Sequence, residues 1–170
     1  PVLPADAQTN PFQRNQGPQP QEKGDINRFM TDIGISWNNA SVIWDSYNPH
    51  PDLSPLQPEI IFVGPGNKNN EAFNPDNPVS AGLQEAVMIY SGNIDPQVST
   101  PYKFEPLLQT GRLSGTHNWY NLVQRGFFGM SLNPRPRRVQ SPDSYTLAAR
   151  VSGTSSSKTA SDSTADLTGV

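Results

Sequence analysis

Apolar side chains recur at i, i+3, i+4 and i+7 in Ile26, Phe29, Met30 and Ile33, the spacing of one face of an α-helix. Asp25 stands where an N-cap is needed and Gly34 where the last turn ends, so the pattern predicts a short amphipathic helix over 26–33. The period then changes. Ile35 and Trp37 alternate, and Ser41 to Asp45 is β-branched and aromatic behind an Asn38-Asn39 turn signal, which predicts a strand at 41–45. A strand at 59–63 follows from the unbroken run IIFV, and such a run suits a strand buried on both faces. Further strands are predicted at 85–91 (EAVMIYS), 103–109 (KFEPLLQ) and 145–151 (YTLAARV). Pro106 places an edge or a bulge within the second of these. Between 116 and 130, Trp119, Leu122 and Val123 suit a helical turn that Gly126 and Gly129 interrupt.

The polar stretches between these elements divide the chain. Residues 1–23 are rich in Pro, Gln and Asn without any period and form a linker or lead-in loop. Residues 24–153 hold the predicted elements, joined by proline-punctuated loops at 46–58 and 64–82. Residues 154–170 are a Ser/Thr-rich segment of the composition that makes flexible tails. No internal repeat is visible.

Composition narrows the classes of function. With 34% hydrophobic and 16% charged residues beside 18 Pro and 13 Gly, the chain carries more loop chemistry than a regular fold needs. Its formal charge of −3 and isoelectric point near 5.2 give no basic surplus for nucleic acid. The absence of cysteine removes disulfides, thiolate metal sites and cysteine nucleophiles together. No stretch approaches the roughly 18 apolar residues that span a bilayer. The sequence opens at Pro1 rather than Met, so the expectation is either a removed leader or a segment of something longer.

Candidate chemistry is sparse. The two histidines, His50 between Pro49 and Pro51 and His117 before an aromatic pair, lack a recognisable nucleophile and acid, so both are expected to be structural. Asp52, Glu71 and Asp76 are scattered through loops without calcium-loop spacing. Gly64-Pro65-Gly66 follows a strand but lacks the rest of a phosphate-binding fingerprint, which leaves a chain reversal. No cofactor or metal is expected. Arg135, Arg137 and Arg138 form the single basic cluster, NPRPRR; three charges beside two prolines ordinarily make a solvated loop, and the functional alternative is contact with an anionic partner or lipid head group. Asn39-Ala40-Ser41 matches a glycosylation acceptor, a pattern common by chance. Trp37, Trp44, Trp119, Phe127 and Phe128 would suit a sugar platform, although aromatics spaced in this way more often supply a core. Arg135, Arg137, Arg138 and Trp119 are therefore the candidate partner or ligand contacts.

Two stretches carry a resemblance when taken together. They are DINRFMTDIGISWNNASVIWDSYNPHP leading to PEIIFVGPGN, and FNPDNPVSAGLQEAVMIYSGNI with KFEPLLQTGRLSG and SYTLAARVSG. Over residues 24–153 this order resembles the extracytoplasmic domain of the gliding-motility-type auxiliary component of ABC transporters. The matching elements are Gly34-Ile35, Asn39 to Asp45, Asn77 to Leu83, Phe104 to Thr110 and Tyr145 to Gly153. The segment RGFFGMSLNPRPRR has no counterpart in the resemblance.

What the resemblance implies is an α/β fold: part of a three-layer sheet, flavodoxin-like or glutamine-amidotransferase-like, with long Pro/Gly-rich loops. It also implies a non-catalytic auxiliary or substrate-binding-like domain that works with ABC-transporter permease and ATPase subunits. Such a domain is expected to be extracytoplasmic (periplasmic) and anchored to the inner membrane through flanking segments. The rivals are a degenerate amidotransferase- or hydrolase-like enzyme domain, and a cell-surface carbohydrate-binding module working through its tryptophans.

Overall fold

The computed structural model describes residues 24–66, 69–126, 129–156 and 164–169. Helix α1 spans Ile26–Asp32 and is capped as the sequence predicts, with Asp25 Oδ1 accepting from the backbone N–H of Asn27 at 3.0 Å and of Arg28 at 3.2 Å. Gly34 ends it at φ +79°, and a Cβ there would collide with the Thr100 hydroxyl, so both backbone and space require glycine. The apolar face of α1 does not enter the core. Ile26 and Phe29 remain 53% and 55% exposed.

Among the described residues the strands form five small antiparallel sheets. Strand β1 (Ile35–Trp37) pairs with β5 (Ile94–Pro96), β2 (Ser41–Asp45) with β7 (Ser114–Asn118), and β3 (Ile60–Val63) with β4 (Ala86–Ile89). Strand β6 (Lys103–Gln109) pairs with β10 (Thr146–Ser156), which pairs on its other edge with β11 (Thr164–Gly169). Helix α2 is one turn, Trp119–Leu122, and runs directly into a hairpin of β8 (Val123–Gly126) and β9 (Gly129–Leu132).

Several expectations meet these elements closely. Pro106 lies both on the outer strand of its three-stranded sheet and beside a register shift, where Ala148 pairs with Leu108 but Ala149 with Pro106. That is the bulge a residue without an N–H calls for. In β3, Ile61, Phe62 and Val63 are all buried, which is why the run does not alternate. The helix signal near Trp119 survives as a single turn, because Val123 leaves the helix with φ −105° and ψ 124° and enters the hairpin.

Of the expected α/β fold, the mixture of strand and helix is present. The described residues contain strand and helix but not the three-layer, flavodoxin-like layering: every strand pair is antiparallel. A parallel layer needs crossovers of a dozen or more residues, usually helical, whereas α1 has seven residues and α2 four. Within the described residues, Thr164–Gly169 pairs in register with Val151–Ser156. The linker reading of residues 1–23 lies outside the described residues.

The core is built where these sheets meet. Ile43 of β2, Ile61 and Val63 of β3, Leu107 and Leu108 of β6, Leu147 of β10 and Ala72 of the intervening loop pack together, with Phe73, Met88 and Tyr145 at their margin. Burying each large aliphatic side chain contributes about 1.5–3 kcal/mol. The loop before β4 is pinned to β6 as an extra strand-like edge through Asn74 N–H to Leu107 O at 3.0 Å and Gln109 N–H to Ala72 O at 3.1 Å.

Candidate functional site

Three backbone links bring the titratable side chains together. The N–H of Asp45 donates to Pro58 O at 2.9 Å, placing the end of β2 against the start of β3. The N–H of Tyr90 donates to Glu59 O at 2.9 Å, closing the β3–β4 pair. The register of β2 on β7 sets Val42 opposite His117 and Asp45 opposite Ser114.

Glu59 lies at this junction with no solvent exposure. Its carboxylate receives the guanidinium of Arg138 side-on, Nε to Oε1 at 2.9 Å and Nη2 to Oε2 at 2.8 Å, the paired geometry that arginine alone provides. His117 Nε2 lies 3.1 Å from Glu59 Oε1. The approach is not aligned for a hydrogen bond, and neither ring nitrogen has a partner. Proximity without a directed bond therefore defines this pair. Burial pushes the His117 pKa down; the Glu59 carboxylate opposes that and Arg138 reinforces it. Tyr90 is pushed up, first by burial and then by the Glu59 charge. Tyr90 also has φ +48°, an uncommon conformation for an aromatic residue, and its ring meets Trp119 edge-on at 6.3 Å.

Beside this joint runs a second buried polar network. Asp45, 3% exposed, accepts from Gly111 N–H and Tyr47 N–H at 2.9 Å each. Burial raises its pKa while the two backbone donors pull it down. Ser114 Oγ donates to Gly111 O at 2.6 Å and lies 3.0 Å from Thr110 Oγ1, which accepts from Tyr145 N–H at 2.9 Å. A third network holds the Asn/Pro loop: Asn77 Nδ2 donates to Glu105 Oε1 at 2.8 Å, Asn74 Nδ2 to Pro106 O at 3.0 Å, and Ser80 Oγ to Asn74 O at 2.9 Å. The bond from Asn77 is the main reason the Glu105 pKa is lowered. Asp45, Asn77, Ser80, Thr110 and Ser114 thus explain physically the polar positions of the stretches quoted above. They satisfy buried backbone groups that short strands leave open.

The candidate contacts differ in setting. Arg138 is spent on Glu59 and only 23% of its side chain is exposed, while Arg135 and Arg137 are exposed. Trp119 is half-buried on Tyr90, and its N–H donates to Ala40 O at 2.7 Å. His50 Nε2 lies 2.9 Å from both carboxylate oxygens of Glu85, so its partner is a side chain rather than the backbone expected for a loop histidine. Asp52, Glu71 and Asp76 stay exposed, and no cluster of three metal-ligating side chains occurs among the described residues. Sequence reasoning missed Glu59 as a site residue, because a single carboxylate before an apolar run resembles a strand terminus.

A cavity of about 430 Å³ opens between α1 and the β1–β5 sheet, lined by Asn27, Met30, Thr31, Trp37, Asn39 and Gln97 among others. No charged side chain lines it. Among the described residues, no helix is long and apolar enough to cross a membrane.

The described residues thus form small antiparallel sheets tied together by buried polar joints, with an uncharged cleft beside α1. The family model described as ABC-type uncharacterized transport system matches residues 3–167, and the chain belongs to this family. It is an auxiliary component of an ABC-type transport system. No curated protein and no solved structure matches it.

Proposed function

We propose that this domain is a non-catalytic auxiliary subunit, exposed on the extracytoplasmic side of the inner membrane and anchored there, that works by binding the permease and ATPase of its transport system. The match across residues 3–167 to an auxiliary transport family carries the proposal. The chemistry agrees with it. The most concentrated ionisable group in the described structure, Glu59 with Arg138 and His117, is enclosed and joins β3, β7 and the 133–140 segment, a structural use of charge. Affinity purification of the tagged full-length protein from detergent-solubilised membranes tests this. Recovery of the cognate ATPase and permease is the expected result, and a protein that runs alone ends the proposal.

The uncharged cleft favours a second mode for the same subunit, the capture of a neutral ligand. Amide and hydroxyl groups from Asn27, Thr31, Asn39 and Gln97 surround Trp37 there, a composition suited to hydroxyl-rich molecules. Tryptophan fluorescence titrated with a panel of neutral glycans measures it, and a flat response across the panel removes it. For the rival enzymatic reading the test is direct: a hydrolysis measured for the wild type and abolished by His117→Ala would support it.

A further inference from the structure

From Gly111 to Gln140 the sequence has five arginines, Arg112, Arg125, Arg135, Arg137 and Arg138, and no Asp or Glu, within a chain whose formal charge is −3. Arg138 is neutralised by Glu59. Arg112, Arg135 and Arg137 are exposed, and none has an acidic partner among the described residues. Cations of one sign are thus left unbalanced on one part of an acidic protein.

Apolar side chains accompany them. Strands β8 and β9 pair only with each other, and an isolated two-stranded hairpin is marginal in water. Met130 and Leu132 are two residues apart and so share one face of it; they are 68% and 43% exposed. Tyr120 on α2 is 80% exposed. These groups belong to one connected unit. Asn133 N–H donates to Leu122 O at 2.7 Å, Asn133 Nδ2 to Asn121 O at 3.1 Å, and Asn133 Oδ1 accepts from Arg135 N–H at 3.0 Å. Pro134 and Pro136 stiffen the turn around Arg135, and the Arg138–Glu59 pair fixes its far end. The hairpin and the arginine turn are therefore held beside each other by the fold.

We propose that the β8–β9 hairpin and the Arg135–Arg137 turn form a docking surface for an anionic lipid bilayer. The observations select this occupant by charge and form. A protein partner ordinarily meets a mixed polar rim, whereas the segment that supplies this surface carries exposed Arg135 and Arg137 and no acid in its thirty residues, together with exposed Met130, Leu132 and Tyr120. Lipid phosphates can move to meet the arginines, and the region just beneath them receives apolar side chains and the amphipathic Tyr ring. The inference goes beyond the transporter reading, since the surface does not require permease or ATPase.

Co-sedimentation of the chain with vesicles tests it. Binding is expected to vesicles of equal parts phosphatidylglycerol and phosphatidylcholine and not to pure phosphatidylcholine, and it should weaken as salt is raised. Arg135→Gln/Arg137→Gln should lower the partition coefficient at least about tenfold, the loss expected for two surface cations. Met130→Ser should lower it about threefold. Equal thermal melting of the variants shows that the fold is kept. Wild-type binding by the double arginine variant, equal binding to both vesicle types, or no binding at low salt would each overturn the proposal. So would vesicle-independent capture of a soluble acidic domain of the transport system that depends on Arg135 and Arg137. Recovery of the ATPase and permease with the double arginine variant would leave the transporter reading standing while the vesicle result decides this one.

Discussion

Arg137 and Arg138 are neighbours in the chain, and they end in opposite settings. Arg138 reaches into the junction of β3 and β7 and meets a fully buried carboxylate side-on. Arg137 stays in water beside a hairpin that has only one strand on each side of its ladder. The junction is dense in long-range bonds, including Asp45 to Gly111 and Tyr145 to Thr110. The hairpin is tied mainly to its own neighbours, α2 and Asn133. The same residue type therefore works as an internal fastener in one region and as a surface cation in the other. What separates them is whether a desolvated partner is present.

The largest test of this contrast is Arg138→Ala. It leaves Glu59 buried without its cation and should cost about 3–5 kcal/mol, read as a lower urea midpoint. Ile61→Ala, in the core behind the same junction, should cost about 2–5 kcal/mol through lost burial and an unfilled cavity. Gly115→Ala follows at about 1–3 kcal/mol, because a Cβ there would strike the Val139 carbonyl and the ring of Trp44, its partner across the β2–β7 pair.

A smaller effect comes from pH. His117 titrates below its ordinary 6.5 in the folded state, so the unfolded chain takes up the proton first. The stability this group contributes is complete above about pH 6.5 and declines as the pH falls through that value toward its folded pKa. Glu105, also lowered in the fold from 4.5, acts with the same sign further into acid. Asp45, raised from 3.8, acts with the opposite sign. Thermal melts between about pH 7.5 and about pH 5.5 should therefore show falling stability, and His117→Gln should flatten that slope. The smallest change expected is Arg137→Ala, within about 0.5 kcal/mol of wild type. A destabilisation equal to that of Arg138→Ala would erase the distinction between the two arginines.

Much of the local structure was legible. The cap at Asp25, the stop at Gly34, the run at 60–63 and the irregularity at Pro106 each follow from what a few adjacent residues can do. Strand β7 was not legible. Ser114, Gly115, Thr116, His117 and Asn118 contain no apolar residue to reveal a period, and they become a strand because β2 supplies the ladder. The same limit hid Glu59, whose partners lie 58 and 79 positions further along the chain. The exposure of Ile26 and Phe29 was hidden too, since helical spacing says that residues share a face and not what that face meets.

By itself the sequence determined helix α1, strands β2, β3, β4 and β6 and the start of β10, the absence of thiol chemistry, the acid-free arginine segment and the resemblance that the family match bears out. These depend on residue identity and short-range geometry, which the chain carries wherever it folds. Only the tertiary structure decided that the strands pair antiparallel in small sheets, that Thr164–Gly169 joins one of them, and that one arginine of NPRPRR is half-buried on Glu59 while two are left outside. Those outcomes depend on desolvation and on partners distant in sequence. Their free energies exist only once the chain has brought the groups together.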